Sequence, residues 1–172
     1  PVWGGPGGPV TFDTLVRWDR HANEGIRYYS GQAVYRKTFD RPKGMFEGSR
    51  IVLDLGVVHK LARVTLNGKD LGIVWTPPFR LEITGNLPPT GNVLEITVVN
   101  TWVNRLIGDQ QPAHRGVRQL EWRSGLLGGV AHPAGRYTFT TATGDYTPDS
   151  PLQESGLLGP VTLRGLKFSK DE

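Results

Sequence analysis

The chain has 172 residues with a formal charge of +4, and it carries 23 glycines, 13 prolines and no cysteine. That length suits one well-packed domain, and the absence of cysteine excludes disulfides, thiolate zinc sites and a cysteine nucleophile. No apolar run reaches the roughly 18 residues a membrane crossing needs, and the scattered basic residues form neither the stripe nor the motif of a nucleic-acid binder.

Residues 1–25 read as an irregular lead-in rich in Gly and Pro, with Phe12, Leu15 and Trp18 placed to lie against the body of the domain. The chain begins at Pro1 rather than Met, which predicts a mature protein or an excised domain whose targeting segment lies elsewhere. A first strand is expected in "IRYYSGQAVYRKTFD", where Tyr28, Gly31, Ala33 and Tyr35 or their neighbours alternate toward a core. "RIVLDLG" follows as a short strand of branched apolar residues. In "LARVTLNGKDLGIVW" two alternating runs flank Asn67-Gly68, the pair that most readily adopts the positive φ angles of a two-residue hairpin turn. "PFRLEIT" and "NVLEITVVN" supply two more strands. In the second, Leu94, Ile96 and Val98 form an apolar face against the mixed face of Val93, Glu95, Thr97 and Val99.

From Thr101 to Gly135 the alternation stops. A bare connector of that length is unusual in a compact domain, so the segment is functional, partly disordered or the carrier of a short helix. "RYTFTTAT" and "GPVTLRGLKF" complete the strands around a polar, proline-rich loop. About eight strands with few helices predict an all-β fold, an antiparallel β-sandwich of jelly-roll type. The expectation is one domain over residues 1–172, with the lead-in 1–25 and a long loop 101–135.

A glycosidase needs two positioned carboxylates. Asp54, Glu82 and Glu95 lie within strands, and Asp109, Glu121, Asp145 and Glu154 lie in loops with no spacing that marks a pair. The four histidines are isolated, without HxH or HExxH spacing, so no metal site is expected. Aromatic residues at strand ends and in loops carry more information. Trp75 opens "WTPPF", Trp102 stands where a strand ends, and Trp122 lies in the long irregular segment. Aromatic faces cover the C–H patches of sugars while amides, acids and Arg forks bond their hydroxyls. Trp102 with Asn104, Arg105, Asp109 and Gln110 supplies those groups. The competing reading is that Trp75 and Trp102 fill the end of the sandwich and Arg105 pairs with Asp109.

"AVYRKTFD", "IVLDLGVVHKLARVTLNGKDLGIVWTPPFRLEIT" and "NVLEITVVNTWVNRLIGD" together resemble the galactose-binding-domain-like β-sandwich of the glycoside hydrolase family 2 superfamily. The pattern is more similar still to the C-terminal β-sandwich of family 106 α-L-rhamnosidases. There the tryptophan-containing lead-in, the "YYSGQAVYRKTF" strand, "NRLIGDQ" and "SPLQESGLLGPV" all find counterparts. The resemblance spans nearly the whole chain, with the stretch between Gln111 and Tyr137 departing most from it. It implies a galactose-binding-like jelly roll attached to a bacterial polysaccharide-degrading enzyme. Catalytic carboxylates would then sit in a separate barrel domain, so no catalytic residue carries over to this chain.

The expected function is therefore a noncatalytic carbohydrate-binding accessory domain, with Trp75, Trp102, Asn104, Arg105, Asp109, Gln110 and Trp122 as candidate sugar contacts. The expected partners are a plant or algal polysaccharide and the catalytic domain of a parent glycosidase, in a secreted or periplasmic setting. No cofactor is expected, although sandwiches of this type often hold a structural calcium ion. The alternative is a purely structural sandwich that buttresses a catalytic barrel and binds no sugar.

Overall fold

A computed structural model describes residues 5–43, 49–111 and 146–167. The chain divides into two compact units, one holding Thr14–Arg17, Gln32–Asn100 and Ser155–Glu172, the other holding Pro1–Asp13, Trp18–Gly31 and Thr101–Glu154.

The first unit is the sandwich. Strands β1 (Gly31–Phe39), β7 (Asn92–Asn100), β4 (Leu61–Leu66) and β5 (Lys69–Val74) form a four-stranded sheet in the order β1-β7-β4-β5. Strands β6 (Arg80–Glu82), β2 (Ser49–Asp54) and β9 (Thr162–Lys167) form a second sheet in the order β6-β2-β9. A short pair, β3 (Val57–His59) with β8 (Gly156–Gly159), makes the third. The pairs β2–β6, β2–β9, β3–β8, β4–β5 and β4–β7 are all antiparallel, giving the all-β, galactose-binding-like sandwich the sequence predicts.

Alternation sets which face is buried. Along β7, Asn92, Leu94, Ile96, Val98 and Asn100 are buried while the residues between them are half-exposed. Ala62, Val64 and Leu66 of β4 face the same interior, with Ile51 and Leu53 of β2 also buried. Each large apolar side chain taken from water contributes about 1.5–3 kcal/mol before entropy is counted. The hairpin between β4 and β5 forms as expected: Asn67 has φ 53°, Gly68 has φ 79°, and Leu66 pairs with Lys69 across the two-residue turn. The Asn67 side chain also reaches the start of β7. Its Oδ1 accepts the Val93 N–H at 2.8 Å and its Nδ2 donates to Asn92 Oδ1 at 3.1 Å.

Two features differ from the sequence expectation. Residues Glu24–Arg27 form a single helical turn, α1, where the strand was expected to begin. Asn23 caps it, its side chain accepting the Gly25 N–H at 2.8 Å, and this local bond outweighs the alternation that follows. The β3–β8 pair was not expected at all. It is short, and it joins segments about a hundred residues apart through a backbone approach that excludes side chains. A Cβ built on Gly56 would lie 2.2 Å from the Gly159 carbonyl carbon, so glycine is required there. The expected strand at "RYTFTTAT" lies outside the described residues.

The second unit contains a 3-10 turn at Trp18–Arg20, α1, and helix α2 (Val103–Asp109) at the head of the long non-alternating segment. Trp18 is 2% exposed and meets Tyr29 edge-on, with ring centroids 5.8 Å apart. Gly108 of α2 lies against Tyr28, so closely that an added Cβ would stand 2.5 Å from the Tyr28 Cβ.

Candidate carbohydrate-binding surfaces

Helix α2 gathers five of the seven candidate residues. Its buried face carries Asn104, Arg105 and Asp109. Asn104 makes a two-bond clamp on one peptide: its Nδ2 donates to the Gln153 carbonyl and its Oδ1 accepts the Gln153 N–H, both at 2.7 Å. Arg105 and Asp109, one helical turn apart, form an ion pair with Nε to Oδ1 at 3.0 Å and side chains 5% and 0% exposed. These polar groups serve the folded chain itself. The stripe next to that buried face, at i, i+4 and i+8, is Trp102, Leu106 and Gln110, and it is the more exposed one. Trp102 stands at the helix N-terminus with 58% of its surface exposed, and Gln110 is half-buried at the C-terminus. Trp122 lies outside the described residues.

Trp75 belongs to the sandwich unit and is 72% exposed. It directly follows β5, the edge strand of the four-stranded sheet. The pairing of Ala62 with Val74 and of Arg63 with Ile73 continues to a position for Trp75 opposite Leu61. Ile73, two residues earlier and on the same face, is 56% exposed. Arg63 on this face pairs with Asp70 at 2.6 Å.

A second surface, not singled out in the sequence, lies on the outer face of the β6-β2-β9 sheet. Arg50, Val52, Arg80, Leu81, Glu82, Arg164 and Leu166 line a shallow groove of about 280 Å³. Val52 is flanked in register by Glu82 on one side and Arg164 on the other, while Arg50 stands beside Leu166. Asp54 shares this face but is buried, its Oδ2 bonded by Arg80 Nε at 2.8 Å and approached by Arg164 Nη2 at 3.1 Å. Its Oδ1 accepts the Gly56 N–H at 2.9 Å. Arg50 and Glu82 form a further ion pair. Alternate charges in short strands read as a solvated face, and nothing local in the sequence says that three strands carry theirs to one place.

The carboxylates of the sandwich whose pKa is displaced are all displaced downward. Burial opposes ionisation of Asp54 and is its largest single influence. The Gly56 N–H, the Arg80 bond and the charges of Arg164 and Arg80 together outweigh it. The Arg63 bond, with the Gly72 N–H, lowers Asp70, and the Arg50 bond, with the Thr84 hydroxyl, lowers Glu82. Such groups stay ionised at neutral pH, whereas a general acid for glycosidic cleavage must hold its proton. Among the described residues no three His, Asp or Glu side chains cluster closely enough to hold a metal ion, and no helix is long and apolar enough to cross a membrane.

The fold is thus an antiparallel β-sandwich with an exposed tryptophan after its edge strand and a charged outer face on its second sheet. The chain belongs to the glycosyl hydrolase 2 galactose-binding domain-like family, whose model matches residues 18–131. A protein of Formosa agariphila with the provisional name β-glucuronidase is 40% identical over 162 residues, a match that takes in 91% of this chain and 14% of the relative. The solved rhamnosidase of Novosphingobium sp. PP1Y superimposes with a TM-score of 0.71 at 38% identity, over 94% of this chain and 13% of the rhamnosidase. The chain thus spans about a seventh of the length of the relatives it matches, and it is a domain associated with glycoside hydrolases.

Proposed function

We propose that the chain is a noncatalytic, carbohydrate-binding accessory domain of a larger bacterial glycosidase, acting on plant or algal polysaccharide outside the cytoplasm. The small share of its relatives that it spans supports an accessory role, and so do its ion-paired carboxylates. The observation that carries sugar contact is the exposure of Trp75, 72% of whose surface faces solvent beside a loop stiffened by Pro77 and Pro78. A flat indole held on a rigid edge offers a platform for the C–H face of a pyranose ring. Such a shallow contact binds in the micromolar to millimolar range. Calorimetric titration with galactose-, rhamnose- and xylose-containing oligosaccharides tests this. Trp75→Ala should abolish binding and leave the melting temperature unchanged. Absence of binding by the unaltered chain across that panel would refute sugar recognition.

One observation favours a second reading, a purely structural domain. Ile73 and Trp75 expose apolar surface side by side on an edge strand, as an interdomain contact would. On that reading Trp75→Ala destabilises the complete enzyme but leaves the separate chain unaffected.

A further inference from the structure

The groove on the β6-β2-β9 sheet has a chemistry distinct from the Trp75 rim. We propose that it is a binding subsite for an acidic sugar, a uronate residue whose carboxylate is received by Arg164, Arg80 and Arg50. The inference rests on the carbohydrate-binding reading above and specifies the substrate class.

Three observations carry it. Charge comes first: among the described residues, the three guanidinium groups lining the groove meet two carboxylates, Glu82 and the buried Asp54, which leaves positive charge in excess there. Second, the arginines are positioned and still available. Arg80 and Arg164 are anchored beneath by a single Asp54 oxygen, yet their side chains are 46% and 53% exposed. A guanidinium has five N–H donors, so one bond to Asp54 leaves most of the fork for a ligand. Asp54 is itself fixed by the Gly56 N–H, so little ordering remains to be done on binding. Planar guanidinium forks match carboxylate geometry in two parallel bonds, which a lysine cannot do. The third observation is the floor. Val52 and Leu166 supply apolar surface among the charges, suited to the C–H side of a sugar ring rather than to a bare inorganic anion. The volume of about 280 Å³ is at the small end of ligand sites, the size for one or two sugar residues and not a long chain segment.

The test is calorimetry on the 172-residue chain at physiological salt, with oligogalacturonate, a neutral oligogalactoside of equal length, and dextran sulfate. Oligogalacturonate should bind more tightly than the neutral oligomer. Arg164→Gln should weaken it roughly ten- to hundred-fold, the effect of losing a hydrogen bond between charged groups. Arg50→Gln, which does not touch Asp54, should weaken it in the same direction. Neutral-sugar binding should be unchanged in both variants. If Arg164→Gln lowers the melting temperature through Asp54, Arg50→Gln decides alone, because it leaves the Arg80–Asp54 and Arg164–Asp54 contacts in place, and unchanged uronate binding in that variant would overturn the inference. Equal affinity for uronate and neutral oligomers would overturn the inference and leave the Trp75 reading standing. Dextran sulfate binding as tightly, in proportion to its charge alone, would also overturn it, since that is unspecific attraction. If no saccharide binds, both readings fall together.

Discussion

Replacing Asp54 with Asn isolates one charge in the sandwich. The amide oxygen can keep the Gly56 N–H bond, now 2.9 Å long, because that bond is to Oδ1. On the other side an NH2 group replaces the oxygen that Arg80 and Arg164 approach at 2.8 and 3.1 Å, so donors face donors. The hydrogen bond from Arg80 to this charged group is worth about 1.5–3 kcal/mol, and the Arg164 ion pair adds up to about 1, for about 2–4 together. Both arginines are about half exposed and can turn to water, with side-chain exposures of 46% and 53%. Halving the sum for that screening leaves about 1–2 kcal/mol lost at neutral pH, or roughly 2–8 °C in melting temperature. The pH dependence gives the sharper test. Asp54 is ionised more readily in the folded chain than in the unfolded one. Its contribution is therefore full above the unfolded value of about 3.9 and disappears as pH falls through the lower folded value. Urea unfolding of both proteins at pH 7 and near pH 2 measures the difference. The gap should be large at pH 7 and close to zero in acid. A gap of equal size at both pH values would show that the loss is one of shape, and the electrostatic account would be wrong.

Gly108→Ala in α2 should destabilise the protein by roughly 1–2 kcal/mol. Alanine gains about 1 kcal/mol of helix propensity, but its Cβ would lie 2.5 Å from the Tyr28 Cβ, which is too near the backbone to swing away. A raised melting temperature would refute that packing. In the Arg105–Asp109 pair, Arg105→Met or Asp109→Leu alone should each cost about 3–5 kcal/mol, because each leaves a buried charge. The double change should cost well under the sum, and additive losses in the cycle would mean the pair is not coupled. Trp102→Ala separates the two roles open to that residue: lost sugar binding at an unchanged melting temperature indicates recognition, and a lowered melting temperature indicates structure.

What the sequence determined by itself was whatever neighbouring residues decide. Asn67-Gly68 specifies the β4–β5 turn because those two residues tolerate positive φ, and the alternation in β7 specifies its buried face because the strand repeat is two residues. The order of motifs marked the galactose-binding-like sandwich, since several local signals agreed. Tertiary structure decided the rest. Arg105 and Asp109 could be read as ligand contacts or as a pair until the helix turned them inward together. Strands β3 and β8 are too short to show a period, and their pairing, with Gly56 close against Gly159 beside it, exists only once the chain has folded. The arginine groove draws on residues 50, 80 and 164, which have no relation along the chain. Pairing of β2 with β6 and β9 places them on one face, because register across strands is fixed by the packing of their opposite faces on the core and not by anything within each strand.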